Sequence, residues 1–398
     1  MTFTPIDEAH MSRALKLAER GLWTTKPNPR VGCVIAHGEA IVGEGWHERA
    51  GGPHAEVFAL RAAGENARGA TAYVTLEPCA HHGRTPPCAD ALIAAGIARV
   101  VAAVEDPFPK VDGHGIARLR AAGIDVSIGL KHEEARELNA GFFSRIERGR
   151  PWVRIKVASS VDGRIALDNG ESKWITGTSA RADVQRWRAR SSAILTGIGT
   201  VLADDPRLTA RPGGLGRRRR APGQALVTPL HGAHDLPLQS DTIALVPPLR
   251  VVLDSRLRTP QRARVLDGEV PTLIVHAPDA SPVDRRFDRV DRIAVPAVDG
   301  ELDLAAVIAA LAEREVNEVQ IEAGSILVGS FLKSGFVDEV LLYMAPILLG
   351  DTGRPMVVMP GPATIKEGAM MTLVEQRAFN PDFRLRFLTG DHDVHGDY

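Results

Sequence analysis

The sequence has little cysteine, almost no net charge and no long apolar run. Only Cys33, Cys79 and Cys88 occur among 398 residues, too few for a disulfide framework, and this indicates a reducing compartment. The formal net charge of −1 excludes the global basic field that drives nucleic-acid binding. No apolar run approaches the ~20 residues that span a bilayer, and the first eight residues show no signal-peptide pattern. We therefore expect a cytoplasmic protein with no membrane or nucleic-acid partner.

The sequence does contain enough apolar residues for large cores. Hydrophobic residues make up 44% and charged residues 24%, and the length predicts two or three domains. Short strand and helix patterns alternate, which is typical of layered α/β domains. A helix with a basic end, followed by Gly149 and Pro151, predicts a boundary. We therefore expect one domain at 1–149 and a second at 150–398.

Apolar periodicity predicts the elements of both domains. Helices are expected at about 8–22, 54–63, 89–95, 115–122 and 133–146. Strands are expected at 31–35, 41–45, 72–76, 100–104, 125–128, 152–158, 251–253, 272–275, 319–322 and 339–343. Residues 211–248 lack such periodicity and are expected to be an exposed insertion. Its run Arg217-Arg218-Arg219-Arg220 is interpreted as a solvated loop rather than an anion site.

One histidine and two cysteines of the N-terminal part are spaced as zinc ligands. His54 opens a predicted helix, and Cys79 and Cys88 follow downstream. One imidazole and two thiolates suit Zn²⁺ and leave its fourth tetrahedral position for water. Glu56 lies two residues after the histidine, so its carboxylate can move protons at that water without being a ligand. The pattern matches that of the zinc deaminases, H-x-E followed by P-C-x-x-C.

The spacing of the cysteines departs from that pattern, because eight residues separate Cys79 from Cys88. Pro86-Pro87 would stiffen the return of the loop and start the next helix. The alternative is a closed structural zinc site in which His81 or His82 is the fourth ligand. Catalysis is favoured, because a closed site has no use for Glu56. Cys33 lies in an apolar strand and is expected to be a buried core thiol.

Four N-terminal motifs together resemble the bifunctional riboflavin-biosynthesis deaminase/reductase family. They are Thr25–Val34 (TKPNPRVGCV), Gly45–His47 (GWH), Gly52–Glu56 (GPHAE) and Pro78–Cys88 (PCAHHGRTPPC). The eight-residue spacing between the cysteines is that family's own variant, and the resemblance extends from about residue 8 to about residue 388. It implies a cytidine-deaminase-like α/β/α layered domain followed by a dihydrofolate-reductase-like α/β domain.

The resemblance also implies two successive reactions on a phosphoribosylated pyrimidine. The first deaminates 2,5-diamino-6-(5-phosphoribosylamino)pyrimidin-4(3H)-one to 5-amino-6-(5-phosphoribosylamino)uracil, with one Zn²⁺ per chain. The second uses NADPH to reduce the ribosyl group, which gives 5-amino-6-(5-phosphoribitylamino)uracil. The oligomeric state, including a homo-oligomer, is left open.

Several segments of the second half resemble the family's reductase domain. Thr200 follows a Gly-x-Gly stretch, and Glu322–Ser330 ends a strand and opens a helix, a geometry that presents backbone N–H groups to phosphate. The segment lacks G-x-G-x-x-G, so a standard Rossmann site is not indicated, and a plain strand–helix turn is an equal alternative. By resemblance, NADPH contacts Ala158, Trp174, Thr200, Asp204, Ser255, Gly324, Ser325, Ile326, Leu327, Val328, Gly329 and Ser330.

The same resemblance implies the residues that bind substrate. In the reductase half they are Lys156, Ser172, Arg188, Leu208, Arg211 and Glu322. Arg188 and Arg211 suit the substrate phosphate, because a guanidinium matches phosphate oxygens bidentately. Asn28 and His47 would line the pyrimidine pocket of the deaminase half, with a purely structural role as the alternative.

Three other functions are alternatives to the bifunctional enzyme. A nucleic-acid deaminase predicts a basic face interleaved with aromatic residues, but aromatic residues are only 5% of the chain. A non-catalytic domain with structural zinc would not need Glu56 for turnover. A monofunctional deaminase with an inactive reductase-like half would release ammonia without consuming NADPH.

Overall fold

A computed structural model describes residues 3–80, 87–109, 111–211, 245–281 and 285–390. The described chain divides into two compact units, one holding residues up to 150 together with 245–246 and the other holding the rest. Among these residues, no helix has the length and apolar character needed to cross a membrane. His81, His82 and the four-arginine run lie outside the described residues, as does the expected insertion apart from 211 and 245–248.

The first unit is built on a five-stranded sheet of order β2-β1-β3-β4-β5. Its strands are β1 Gly32–His37, β2 Ala40–Trp46, β3 Thr71–Val74, β4 Arg99–Ala102 and β5 Asp125–Ile128. Its helices are α1 Pro5–Ala18, α2 Ala55–Ala63, α3 Cys88–Ala94, α4 His114–Ala121, α5 His132–Leu138 and α6 Ala140–Arg148. β1 is antiparallel to both β2 and β3, whereas β3, β4 and β5 are parallel.

Two glycines of β2 allow α2 to pack unusually close to the sheet. A Cβ at Gly43 would lie 2.2 Å from the carbonyl oxygen of Ala59, and one at Gly45 would lie 2.3 Å from that of Ala55. No larger residue fits there, because atoms in protein interiors are already close-packed. The close contact fixes the N-terminus of α2, where His54 and Glu56 lie.

The single helix predicted at 133–146 is wrong, because α5 and α6 are separate helices that meet at Asn139. The side chain of Asn139 is buried and pairs with the backbone of Arg30: its Oδ1 accepts from Arg30 N at 2.8 Å, and its Nδ2 donates to Arg30 O at 2.9 Å. Asn139 has φ −112° and ψ 21°, outside the helical region. A partner 109 residues away therefore interrupts a helix that the local pattern favours.

The second unit is built on a nine-stranded sheet of order β11-β10-β9-β8-β14-β6-β15-β18-β17, parallel from β11 to β15 and antiparallel beyond. Its strands are β6 Trp152–Ser160, β7 Arg164–Ala166, β8 Ala193–Gly197, β9 Leu249–Leu253, β10 Thr272–His276, β11 Asp291–Ala294, β12 Ala297–Val298, β13 Glu301–Leu302, β14 Glu318–Ile321, β15 Glu339–Ala345, β16 Arg354–Pro355, β17 Met371–Ala378 and β18 Phe383–Thr389. Its helices are α7 Thr178–Arg190, α8 Ile198–Asp204, α9 Leu304–Glu313 and α10 Ser325–Lys333.

The parallel strands of the second unit bury apolar side chains, and their carboxyl ends lie at one edge of the sheet. β8, β9 and β14 are almost wholly buried, as expected for strands covered on both faces. In open α/β sheets, ligands bind at the carboxyl ends of such strands. The segments that follow these three strands contain Thr200, in the first turn of α8, and the loop residues Ser255 and Gly324.

Candidate active sites

The three expected zinc ligands converge in the first unit. His54 precedes α2, Cys88 begins α3 and Cys79 lies in the loop after β3. His54 Nδ1 is 3.2 Å from Cys88 Sγ and 3.5 Å from Cys79 Sγ, and all three donor atoms lie within 4.8 Å of one another. Zn–N and Zn–S bonds of about 2.0 and 2.3 Å at a tetrahedral angle separate such atoms by about 3.5 Å. The donor set therefore fits zinc despite the long loop between the cysteines.

Glu56 is buried beside this cluster in the first turn of α2, with only 3% of its surface exposed. Its Oε2 is buried and has no hydrogen-bond partner among the described residues. An unpaired buried carboxylate oxygen is costly, so it points to a polar group that the site is built to receive. Burial raises the pKa of Glu56 to about 6, closer to neutrality, where a carboxyl group both accepts and donates protons.

His47 lies next to His54, one of the expected zinc ligands, and is hydrogen-bonded to Asn28. Asn28 Nδ2 donates to His47 Nε2 at 3.1 Å, and His47 Nδ1 donates to the carbonyl of Pro53 at 3.0 Å. The His47 ring stands edge-on to the His54 ring, with centroids 5.5 Å apart. Burial lowers the pKa of His47, which favours the neutral ring that this hydrogen-bond pattern requires. Cys33 is a fully buried thiol in β1, as expected.

Glu77 supports the cysteine loop and was missed by sequence reasoning. Its carboxylate accepts four backbone hydrogen bonds of 2.9–3.2 Å, from the N–H groups of Asp106, Gly113, Gly115 and Ile116. Two of these donors belong to the first turn of α4, where a negative charge is favoured. Glu77 precedes Cys79 by two residues, so these bonds hold the start of the cysteine loop. The donors are 29–39 residues away, which hid the role from local patterns.

A cavity of about 1570 Å³ opens at the carboxyl edge of the large sheet. It is lined by most of the residues expected to bind cofactor or substrate in the second half. These are Lys156, Ala158, Ser172, Trp174, Arg188, Thr200, Asp204, Leu208, Arg211, Ser255, Glu322, Gly324, Ser325, Ile326, Leu327 and Ser330. Val328 and Gly329 do not line it: Val328 is 1% exposed in the core, and a Cβ at Gly329 would lie 1.9 Å from the carbonyl of Val358.

An ion pair lies in this cavity. Arg188 donates from Nε and Nη2 to the two carboxylate oxygens of Glu322, at 2.6 Å each. Gln320 donates to the same carboxylate at 2.7 Å. Burial alone would raise the pKa of Glu322, but the charge and hydrogen bonds of Arg188, with the charge of Lys156, lower it to about 2. Burial lowers the pKa of Lys156, and the charge of Glu322 opposes that shift.

The edge of the cavity is suited to a dinucleotide. Gly324 caps α10 without a side-chain hydrogen bond, so the first N–H groups of the helix remain available to an anion. A Cβ at Gly324 or Gly199 would meet nothing within 4 Å, which leaves room for a ligand against the backbone. Trp174 is 71% exposed at the rim, where the guanidinium of Arg181 lies 4.4 Å from its ring centroid.

Five arginines that line the cavity were not singled out from the sequence, namely Arg181, Arg207, Arg258, Arg264 and Arg354. Arg258 lies in the segment that follows β9. Its position just beyond a predicted strand could have indicated a ligand-binding role, because ligands bind at the carboxyl ends of strands in open α/β sheets.

Known protein families match both units of the chain. The family model described as the RibD C-terminal domain matches residues 151–385, and the model of the cytidine and deoxycytidylate deaminase zinc-binding region matches residues 4–104. The riboflavin biosynthesis protein RibD of Escherichia coli is 47% identical over 96% of this chain and 99% of its own length. Its namesake from Haemophilus influenzae is 41% identical over 97% and 98%.

Solved structures agree with these matches. A RibD structure from Acinetobacter baumannii is 41% identical and covers 97% of this chain and 99% of its own, with a TM-score of 0.82. A diaminohydroxyphosphoribosylaminopyrimidine deaminase/5-amino-6-(5-phosphoribosylamino)uracil reductase from Thermotoga maritima is 31% identical over the same shares, with a TM-score of 0.80.

Proposed function

The chain belongs to the RibD family, and from that premise we propose which of its residues perform the two reactions of a riboflavin-biosynthesis enzyme. It is both a zinc-dependent deaminase and an NADPH-dependent reductase. The deaminase acts on 2,5-diamino-6-(5-phosphoribosylamino)pyrimidin-4(3H)-one, and the reductase converts the ribosyl group of the product to ribityl. We assign the first reaction to residues 1–149 and the second to residues 150–398.

In the deaminase half, His54, Cys79 and Cys88 hold the metal and Glu56 moves the protons. Zinc, when bound, is a Lewis acid that lowers the pKa of a coordinated water to roughly 7. Glu56 takes a proton from the attacking water at Oε2 and delivers it to the ring nitrogen of the pyrimidine. It then takes the remaining proton of the hydroxyl group added to the ring carbon and gives it to the amino group, which departs as ammonia. Asn28 is held by His47 and orients the pyrimidine through the polar atoms of its amide.

In the reductase half, the paired charges of the cavity orient the sugar phosphate. Arg188 and Arg211 bind the phosphate, and Lys156, Ser172, Leu208 and Glu322 surround the sugar and base. NADPH, when bound, supplies the hydride. The N-terminus of α10 holds its pyrophosphate, and Ala158, Trp174, Thr200, Asp204 and Ser255 line its path. Val328 and Gly329 support this helix from its buried face rather than by contact with the cofactor.

The observation that supports the deaminase most directly is the buried Oε2 of Glu56 beside the His54–Cys79–Cys88 cluster, which finds no hydrogen-bond partner in the described part of the chain. The test is Glu56→Gln, which keeps the shape of the side chain but cannot carry the proton. We expect one zinc per chain by metal analysis and a fall in ammonia release of about 10²–10⁴-fold. Glu65→Gln, an exposed carboxylate just beyond the same helix, is the control and should match the unaltered enzyme.

The two activities are separated by supplying each substrate in turn. With the diaminopyrimidine and NADPH, the enzyme should produce both ammonia and oxidised cofactor. The uracil product of the first reaction, supplied directly, should be reduced even by Glu56→Gln. Unchanged ammonia release from Glu56→Gln would remove Glu56 from the mechanism. Ammonia release without NADPH oxidation would favour the monofunctional alternative.

We further propose that the enzyme is cytoplasmic and has no nucleic-acid partner. Three free cysteines and a net charge of −1 support this. The possibility of a homo-oligomer is tested by light scattering of the purified chain.

A further inference from the structure

The chain just before α7 forms a wall between two cavities of the second unit. Trp174, Ile175 and Thr176 line the large cavity, and the same residues line a second cavity of about 380 Å³. We call Trp174–Gly177 the wall segment. A segment with open space on two sides has few packing contacts to order it, so other contacts must hold it in place.

Asp382 anchors the end of the wall segment that joins the helix. The side chain of Asp382 is 2% exposed, and its Oδ2 accepts from Gly177 N at 2.6 Å. Gly177 is the residue that caps α7, and a carboxylate is favoured at the N-terminus of a helix. This bond fixes Gly177 but not Trp174, which begins the segment and is 71% exposed.

Arg181, in the first turn of α7, holds the rest of the wall segment. Its guanidinium donates from Nη1 to Thr176 O and from Nη2 to Thr178 Oγ1, the latter at 3.2 Å. The guanidinium carbon also lies over the indole of Trp174, 4.4 Å from the ring centroid. Within the described residues Arg181 forms no ion pair. A cation at the start of a helix is opposed by the helix dipole, and the contacts with the wall segment and Thr178 offset that cost.

We propose that Arg181 is a positioning residue that holds Trp174 as a platform for a planar ring of NADPH. A guanidinium stacks well on an aromatic face, and it leaves the rest of the exposed indole to the cavity. An indole that is already fixed loses less freedom when a ligand stacks on it, which strengthens binding. This inference rests on the proposed function, because it takes the contact between Trp174 and NADPH from there.

The test is a double-mutant cycle in which calorimetry measures NADPH binding to the zinc-loaded, full-length enzyme. Arg181→Met should raise the Kd by about 3- to 10-fold, the size of a cation–π contact at a partly exposed ring. Trp174→Ala should raise it by about 10- to 100-fold, as is typical when an aromatic stacking platform is removed. The double variant should bind no more weakly than Trp174→Ala, because Arg181 acts only through that ring.

Steady-state kinetics separate positioning from a general loss of structure. Arg181→Met should raise the KM for NADPH and leave the KM for the uracil substrate unchanged. Arg181→Lys should recover part of the NADPH affinity, because an ammonium keeps the charge near the ring but lacks the fork of donors. If Arg181→Met melts at a lower temperature than the unaltered enzyme, Arg181→Lys takes its place in the cycle.

The matched control is Arg292→Met, which removes an exposed arginine that also lies over an aromatic ring. Its guanidinium is 5.6 Å from the ring centroid of Phe287, and neither residue lines a cavity described above. This variant should bind NADPH as the unaltered enzyme does.

The outcomes distinguish this inference from its premise. If Arg181→Met binds NADPH as tightly as the control, Arg181 does not position the platform. If the double variant binds more weakly than Trp174→Ala, Arg181 contacts the cofactor directly, and the positioning role is refuted. If Trp174→Ala itself binds NADPH normally, the proposed contact of Trp174 with the cofactor fails, and this inference with it.

Discussion

Replacing Glu322 by glutamine removes one charge from the ion pair with Arg188 and leaves the arginine without its anion. The two side chains are only 14% and 12% exposed, so water screens the pair poorly. The pKa of Glu322 falls from its ordinary 4.5 to about 2, and each tenfold change in acid strength is worth about 1.4 kcal/mol. The ionised carboxylate therefore contributes about 3 kcal/mol to the free energy of unfolding at pH 7. This agrees with the loss of about 3–5 kcal/mol that is typical when one partner of a buried ion pair is removed.

The sign of the pH dependence follows from the lowered pKa. A carboxyl group that is a stronger acid when folded stabilises the protein fully above its unfolded pKa of 4.5 and loses this effect as pH falls toward about 2. The difference between the unaltered enzyme and Glu322→Gln should therefore be about 3 kcal/mol at pH 7 and about 2 kcal/mol smaller at pH 3.

Urea unfolding followed by tryptophan fluorescence measures this difference, because Trp187 lies on the same helix as Arg188. Glu313→Gln, which alters an exposed carboxylate at the end of α9, should change stability by less than about 0.5 kcal/mol. A double-mutant cycle with Arg188→Met should give strong coupling. Equal destabilisation at pH 7 and pH 3, or additive effects in the cycle, would refute the assignment of this energy to the ion pair.

Two further predictions concern the first unit. Glu77→Gln should destabilise this unit by about 2–5 kcal/mol, because an amide cannot accept all four backbone hydrogen bonds. It should also weaken zinc binding by about 10- to 100-fold in a competition titration with a chelator. A zinc affinity equal to that of the control Glu65→Gln would contradict this prediction. Asn139→Ala should lower the free energy of unfolding, measured in urea, by about 1–3 kcal/mol, because the buried N–H and C=O of Arg30 lose their partners. A decrease no larger than that caused by the exposed Asn66→Ala would count against this prediction.

Much of the secondary structure was predictable, because its causes are local. The alternating apolar residues of β5 place it at 125–128, as predicted, and α2 begins immediately after His54, where the predicted helix starts. The long predicted helix at 133–146 fails at Asn139, since the bond that interrupts it reaches Arg30. The periodicity of a stretch as short as one helix cannot reveal a hydrogen bond to a residue 109 positions away.

The sequence by itself predicted a zinc site and a proton-transferring carboxylate in the first unit, because His54, Glu56, Cys79 and Cys88 follow a pattern of residue types and spacing. The structure brings the three donor atoms of the predicted ligands together. Only the tertiary structure decided which side chains support or face a site. Glu77 supports the cysteine loop through donors 29–39 residues away. Arg258 lines the cavity after β9, where its backbone N–H donates to the buried Asp254. The segment Gly324–Ser330, which begins α10, was likewise predicted as one continuous cofactor-binding motif. Each residue of a helix turns by about 100°, so one continuous motif divides between cavity and core.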